Sequence, residues 1–194
     1  MTESDSFYFA PRCQFAEVFI IQDVPYGQAI GIDAIQAYYQ GVYLLVEKIA
    51  RDPNRVDIKK LRNRDNSGGY ILELGVPKAN QTQVYSFKTD YILKYPPYID
   101  ILQTSWIEGY LNAFEWAVGN LTDFNSYLYT DTFIDAWLIS EFTRNTDAWR
   151  LSTYFYKDRQ DKLIMGPIWG FEVSFSPFPF PFPLPPLMLS SEPR

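Results

Sequence analysis

Residues 145–172 read N-T-D-A-W-R-L-S-T-Y-F-Y-K-D-R-Q-D-K-L-I-M-G-P-I-W-G-F-E, an order that leaves few local folds open. An acidic residue on a loop, Asp147, comes first. It is followed by an apolar strand at 151–157, a tight polar turn at 158–162, a second strand at 163–169 and a W-x-F-acidic corner. Aromatic and aliphatic runs around a short polar turn form a hairpin. That hairpin carries Asp147 and the corner to one side of a cleft.

The rest of the chain supplies a scaffold. Alternation of apolar and polar residues predicts strands at 15–21, 41–49 and 69–74. Residues 22–40 hold two glycines and a proline and read as a loop with at most a short helix. The charged stretch 52–65 reads as a surface connection whose Val56, Ile58 and Leu61 touch the core. Ser105-Trp-Ile-Glu108 fits a capping box, followed by Ile107, Leu111, Phe114 and Val118 on one helical face. Thr132-Phe-Ile-Asp135 is a second such box. Phe133, Trp137 and Phe142, flanked by Ile134 and Leu138, then form a wide apolar stripe ending near Arg144. Both helices are expected to be buried on one side. From Ser176 the chain changes to P-F-P-F-P-F-P-L-P-P, where alternating proline removes backbone donors and blocks helix and central strand alike. This tail is expected to be extended or disordered, an aberrant terminus rather than a recognition segment.

Composition narrows the chemistry. A chain of 194 residues with 47% hydrophobic and 18% aromatic residues suits one folded domain. A net charge of −6 leaves no basic excess to neutralise phosphates, so nucleic acid is not the expected partner. The absence of histidine removes Ser-His-Asp and Cys-His catalysis and most zinc sites. Cys13 is the single cysteine and reads as a buried structural thiol. No apolar run is long enough to span a bilayer, and the acidic start M-T-E-S-D-S-F-Y has no signal-peptide core.

Phosphoryl transfer asks a protein mainly for positioned charge, with one carboxylate to orient the acceptor hydroxyl and others to hold magnesium against phosphates. Asp147, after a helix and before a strand, suits the first role. Several segments in order are similar to one family. Y-Q-G-V-Y-L-L-V-E-K-I with R-D-P-N-R-V-D-I (39–58), S-G-G-Y-I-L-E-L (67–74), N-T-D-A-W-R-L-S-T-Y-F-Y-K-D (145–158) and M-G-P-I-W-G-F-E (165–172) resemble the spore-coat kinase (CotH) family. The last segment resembles its G-P-I/L-W-D-F-D metal motif.

The resemblance implies an α+β, atypical protein-kinase-like fold over residues 7–175, truncated at both ends, with 176–194 as a separate Pro/Phe-rich tail. It implies ATP-dependent phosphorylation of Ser or Thr on a protein substrate, ties to spore coats or the cell surface, Asp147 as catalytic base and magnesium at the corner. Three departures are visible. Gly170 stands where the pattern has its first metal Asp. Glu172 stands at the second, one methylene longer. The family's earlier strands and later helices have no counterpart. The expected outcome is weak or lost transfer, the alternatives being a pseudokinase-like scaffold or binding domain, or a fragment or frameshifted product. Other polar residues take ordinary readings: Glu47-Lys48 as a surface ion pair, Ser152 as a strand residue, and Asn80-Gln-Thr82 and Asn120-Leu-Thr122 as glycosylation acceptors only in an exported eukaryotic protein. A sugar-binding aromatic face is the remaining alternative, though packing accounts for Trp137 and Trp149.

Overall fold

The computed structural model describes residues 9–21, 31, 38–62 and 65–175. The Pro/Phe-rich tail and most of the expected loop at 22–40 lie outside them. Two compact units are present, one of Pro11–Lys48 and one of Met1–Ala10 with Ile49–Arg194.

The smaller unit is a two-stranded antiparallel ribbon, β1 (Cys13–Phe19) and β2 (Tyr39–Val46), with Cys13 opposite Val46. Both strands begin two residues before their expected starts. Arg12 closes the ribbon end through a bidentate pair with Glu47, at 2.9 Å from Nε to Oε2 and 2.8 Å from Nη2 to Oε1. At this strand end Glu47 pairs with Arg12. A two-stranded ribbon has no core of its own in which to bury a side chain. Cys13 is consequently exposed, which corrects its reading as a buried thiol.

The larger unit is built on a five-stranded antiparallel sheet, ordered β4 (Gln83–Tyr85), β5 (Asp90–Tyr95), β3 (Tyr70–Leu74), β6 (Thr153–Lys157) and β7 (Leu163–Met165). Successive strand residues point to opposite faces. One face gathers Tyr70, Leu72, Leu74, Leu93 and Phe155 against Ile107, Leu111 and Phe114 of helix α1 (Ile101–Gly119). The other gathers Ile71, Tyr154, Tyr156 and Ile164 against Ile49, Val56 and Ile58. The charged connection thus contributes its apolar residues to the core as expected, with Leu61 packed on the first face.

Helix α1 starts earlier than its expected box. Asp100 caps it, accepting from the Gln103 amide at 2.8 Å, while the Gln103 side chain accepts from the Asp100 amide at 3.0 Å. Two free amides are satisfied by this reciprocal pair. Ser105 and Glu108 fall inside the helix, and the Glu108 carboxylate accepts from the Tyr85 amide of β4 instead.

Helix α2 (Thr130–Thr143) also starts ahead of its expected box, with Tyr129 at its N-cap. The Thr132 hydroxyl ties the helix start to the sheet, donating to the Tyr129 carbonyl and accepting from the Met165 amide. The helix ends at Arg144 in the left-handed region, as the stripe predicts. The stripe itself is not buried. Thr132, Ala136 and Thr143 face inward and Phe133 packs on the core, but Ile134, Trp137, Leu138, Ile139 and Phe142 are exposed. The inward face is lined by small residues that let α2 lie close to β7, and the large apolar residues point away. Packing therefore does not account for Trp137.

The β6–β7 turn is fastened to the connection 59–69. Gly68 passes so close that a Cβ there would collide with the Asp158 carbonyl. Lys157 is 2% exposed, its ammonium donating to the Ser67 and Asp158 carbonyls and lying 4.8 Å from the Tyr110 ring centre. Burial pushes its pKa down to about 8, against the pull of Asp161, Asp158 and Asp65.

Candidate functional site

The C-terminus of α2 delivers the chain into a tight loop. Asn145 follows the left-handed Arg144, is 8% exposed and donates its backbone amide to the Ser140 carbonyl at 2.9 Å. Its side chain then works in two directions. Oδ1 accepts the Asp147 amide at 3.2 Å, and Nδ2 donates to the Gly170 carbonyl at 3.0 Å. One buried amide thus fixes the loop carrying Asp147 to the corner carrying Gly170, as a buried polar group must be paired to be tolerated.

The loop closes on itself through Asp147, whose carbonyl accepts the Leu151 amide at 2.9 Å. Trp149 and Ser152 have positive φ, 68° and 52°, a backbone region that side chains seldom occupy. Ser152 therefore lies in the loop just before β6 rather than in the strand expected at 151–157. The Asp147 carboxylate is one-quarter exposed and pairs with Arg150 at 2.7 Å.

On the other side, β7 stops at Met165 and residues 166–169 leave the sheet, so the expected strand to Trp169 is cut short. Gly166 turns away with φ 137° and donates to the Tyr154 carbonyl at 2.8 Å. The corner returns to α2, where the Phe175 amide donates to the Thr143 carbonyl at 2.8 Å. Between loop and corner lies a cavity of about 30 Å³ bordered by Ser140, Asn145, Ser152, Tyr154, Trp169 and Phe171. That volume is room for about one water.

Gly170 is part of this closure. Its φ is 77°, and a Cβ on it would stand 2.8 Å from the Ser152 Cβ and 3.8 Å from a Glu172 carboxylate oxygen. Glu172 itself is exposed. Among the described residues no group of three or more acidic or thiol side chains converges as a metal site would. The Gly170 carbonyl already accepts from Asn145. A magnesium ion prefers near-octahedral oxygen coordination anchored by carboxylates. The donors present at this corner do not fit it.

The structure thus brings Asp147 and Gly170 together through Asn145 and sets Glu172 beside Gly170. Sequence reasoning did not single out Asn145 or Arg150. An Asn directly after a predicted helix end, two residues before an Asp, is a signal for a side chain that bonds the following backbone. Nothing local announces its second bond, to Gly170.

Comparison with known proteins settles the lineage. The family model described as CotH kinase protein matches residues 4–178. The chain belongs to the CotH kinase family. No curated protein and no solved structure matches it. The lineage is that of a phosphotransferase, and the family implies ATP and a protein substrate. No described helix is long and apolar enough to cross a membrane.

Proposed function

We propose that this chain is a protein Ser/Thr kinase domain of the CotH lineage, kinase-like in fold, in which Asp147 holds the catalytic-base position and the metal corner has degraded. The observation that carries the reading is the Asn145 clamp. A buried side chain that joins Asp147 to the position of the first metal ligand has an obvious purpose if both once served one nucleotide. Glu172 is the carboxylate left at that corner. Its exposed position makes it a poor substitute for a fixed ligand.

Transfer is expected to be weak or absent. Losing one preorganised electrostatic partner costs about 10²–10³ in rate, and here the first metal carboxylate is missing altogether. The Arg150 pair also occupies the Asp147 carboxylate that would accept a hydroxyl proton. These two features favour a second reading, a scaffold that keeps the kinase architecture for binding.

The test is phosphate transfer from labelled ATP, with magnesium, to a mixed Ser/Thr peptide pool. Trace transfer abolished by Asp147→Asn supports the kinase reading. Transfer unaffected by Asp147→Asn removes Asp147 from the role. Turnover at the ordinary kinase scale of about 1–100 per second would refute the degraded corner.

A further inference from the structure

The loop that carries Asp147 can rearrange only through its side chains. The Asp147 carbonyl accepts the Arg150 and Leu151 amides at 3.2 and 2.9 Å, and Asn145 holds the Asp147 amide, so the backbone is fixed. The Arg150 guanidinium meets the Asp147 carboxylate across this loop at 2.7 Å, from Nη2 to Oδ1. That single bond uses one of the five N–H groups of a guanidinium. Asp147 is the only carboxylate at ion-pair distance from Arg150 among the described residues, and the Arg150 side chain is 60% exposed. An exposed pair of this kind holds its partners only a few-fold, so an incoming carboxylate that engages two N–H groups displaces Asp147. Three further charged side chains lie near the ends of the loop, all exposed. Glu141 and Arg144 sit at the end of α2 with opposite charges, and Glu172 stands beside Gly170 at the corner. None of the three pairs with Asp147 or Arg150.

We propose that Arg150 selects an acidic side chain in the bound acceptor segment and, by pairing with it, releases Asp147. Calling that segment the phosphoacceptor rests on the kinase reading. A carboxylate takes the acceptor's proton only when its oxygens are free to face the hydroxyl. An acid close to that hydroxyl takes over Arg150 as the segment binds, so pairing and release occur together. The phosphates of the nucleotide are the other anions of such a reaction. In the kinase reading the corner faces the nucleotide and Asp147 faces the acceptor; Asn145 stands between the two, and Arg150 lies on the Asp147 side. The net charge of −6 repels an acidic segment as a whole, so the preference belongs to one or two positions that reach Arg150 directly.

The probes are fluorescent 11-residue peptides with a central serine in a neutral polar background, one glutamate being moved from three residues before the serine to three after. A peptide without glutamate is the reference, and anisotropy is read on the full chain without ATP. Glutamate at one or two positions is expected to tighten binding about fivefold, the upper worth of an exposed pair, and high salt to erase the gain. Arg150→Gln is expected to lose the preference. Asp147→Asn removes the competing carboxylate and is expected to strengthen the preference, but only while Arg150 is present; a merely structural pair would not move this readout. The side-chain bond of each residue is to the other, so unchanged melting curves confirm that the variants fold. Absent or equal binding of all the peptides, a preference that survives Arg150→Gln, or one indifferent to Asp147→Asn overturns the proposal. So does tripolyphosphate binding that depends on Arg150 and tightens with Asp147→Asn while glutamate has no effect, which gives the arginine to the nucleotide. Transfer abolished by Asp147→Asn without any glutamate preference keeps the kinase reading and removes Arg150 from it. A preference governed by both residues in a chain that transfers no phosphate leaves Arg150 a reader of acidic segments, and the kinase reading falls alone.

Discussion

Restoring the missing metal carboxylate by Gly170→Asp alone is expected to fail, for a reason visible in the backbone. The residue sits at φ 77°, and any Cβ there lands 2.8 Å from the Cβ of Ser152. Side chains in the left-handed region cost about 1–2 kcal/mol. Forcing extra carbon into a filled space adds about 1–3 kcal/mol. Together these give about 3 kcal/mol of destabilisation, a melting temperature lower by roughly 6–12 °C for a chain of this length. Ser152 is the other half of the contact and itself holds φ 52°. Ser152→Gly removes the opposing Cβ and suits its own backbone, so the pair Gly170→Asp with Ser152→Gly is expected to recover about 2 kcal/mol relative to the sum of the single changes. Urea unfolding of the four proteins measures this coupling. Magnesium-dependent nucleotide binding, followed by calorimetry, is expected to appear in the double variant and not in Gly170→Asp. A single variant within about 0.5 kcal/mol of the parent, or strictly additive effects, would refute the steric argument.

Two further outcomes follow from buried polar groups. Asn145→Ala removes the clamp and leaves the Gly170 carbonyl without its Asn145 bond, at about 2–3 kcal/mol in urea unfolding, and hydrogen exchange at the Asp147 amide should quicken; unchanged exchange would deny the clamp its role. Lys157 has a folded pKa of about 8, below its unfolded value of 10.5, so the unfolded chain binds more protons between those values and stability rises with pH there. Tyr70, Tyr91, Tyr110 and Tyr154 are raised by burial, stay protonated in the fold while the unfolded chain ionises, and reverse that gain above about pH 10. Urea midpoints should therefore correspond to a gain of about 1 kcal/mol from pH 7.5 to 9.5, the Lys157 gain less the onset of tyrosine ionisation, and Lys157→Met should abolish it; a rise that persists in Lys157→Met would place its origin elsewhere.

The strands that read clearly in the sequence are those whose own residues alternate or cluster. β3 and β6 are core strands with continuous aromatic and aliphatic runs, and the hairpin of β6 and β7 follows from its polar turn. β4 is not legible because Gln83–Tyr85 is too short to show a period. The start of α1 reads late in the sequence because Ser105 to Glu108 also has the form of a capping box, while Asp100 and Gln103, the same device in other residues, lie nearer the proline pair Pro96-Pro97. Burial on α1 was legible from periodicity. On α2 the same kind of stripe pointed the wrong way, since small residues at Ala136 and Ser140 set the inward face and no local signal ranks them above tryptophan and phenylalanine.

That reversal connects core, site and surface. Because α2 turns its small residues inward, its C-terminus comes near enough to the corner for Thr143 to accept from Phe175 and for Asn145 to reach Gly170. Were the large stripe buried instead, the helix would stand further from β7 and the clamp would lose its reach, since interaxial and helix–sheet spacings grow with the side chains between them. Exposure of Ile134, Leu138 and Phe142 is thus the geometric consequence of a helix placed to deliver Asp147.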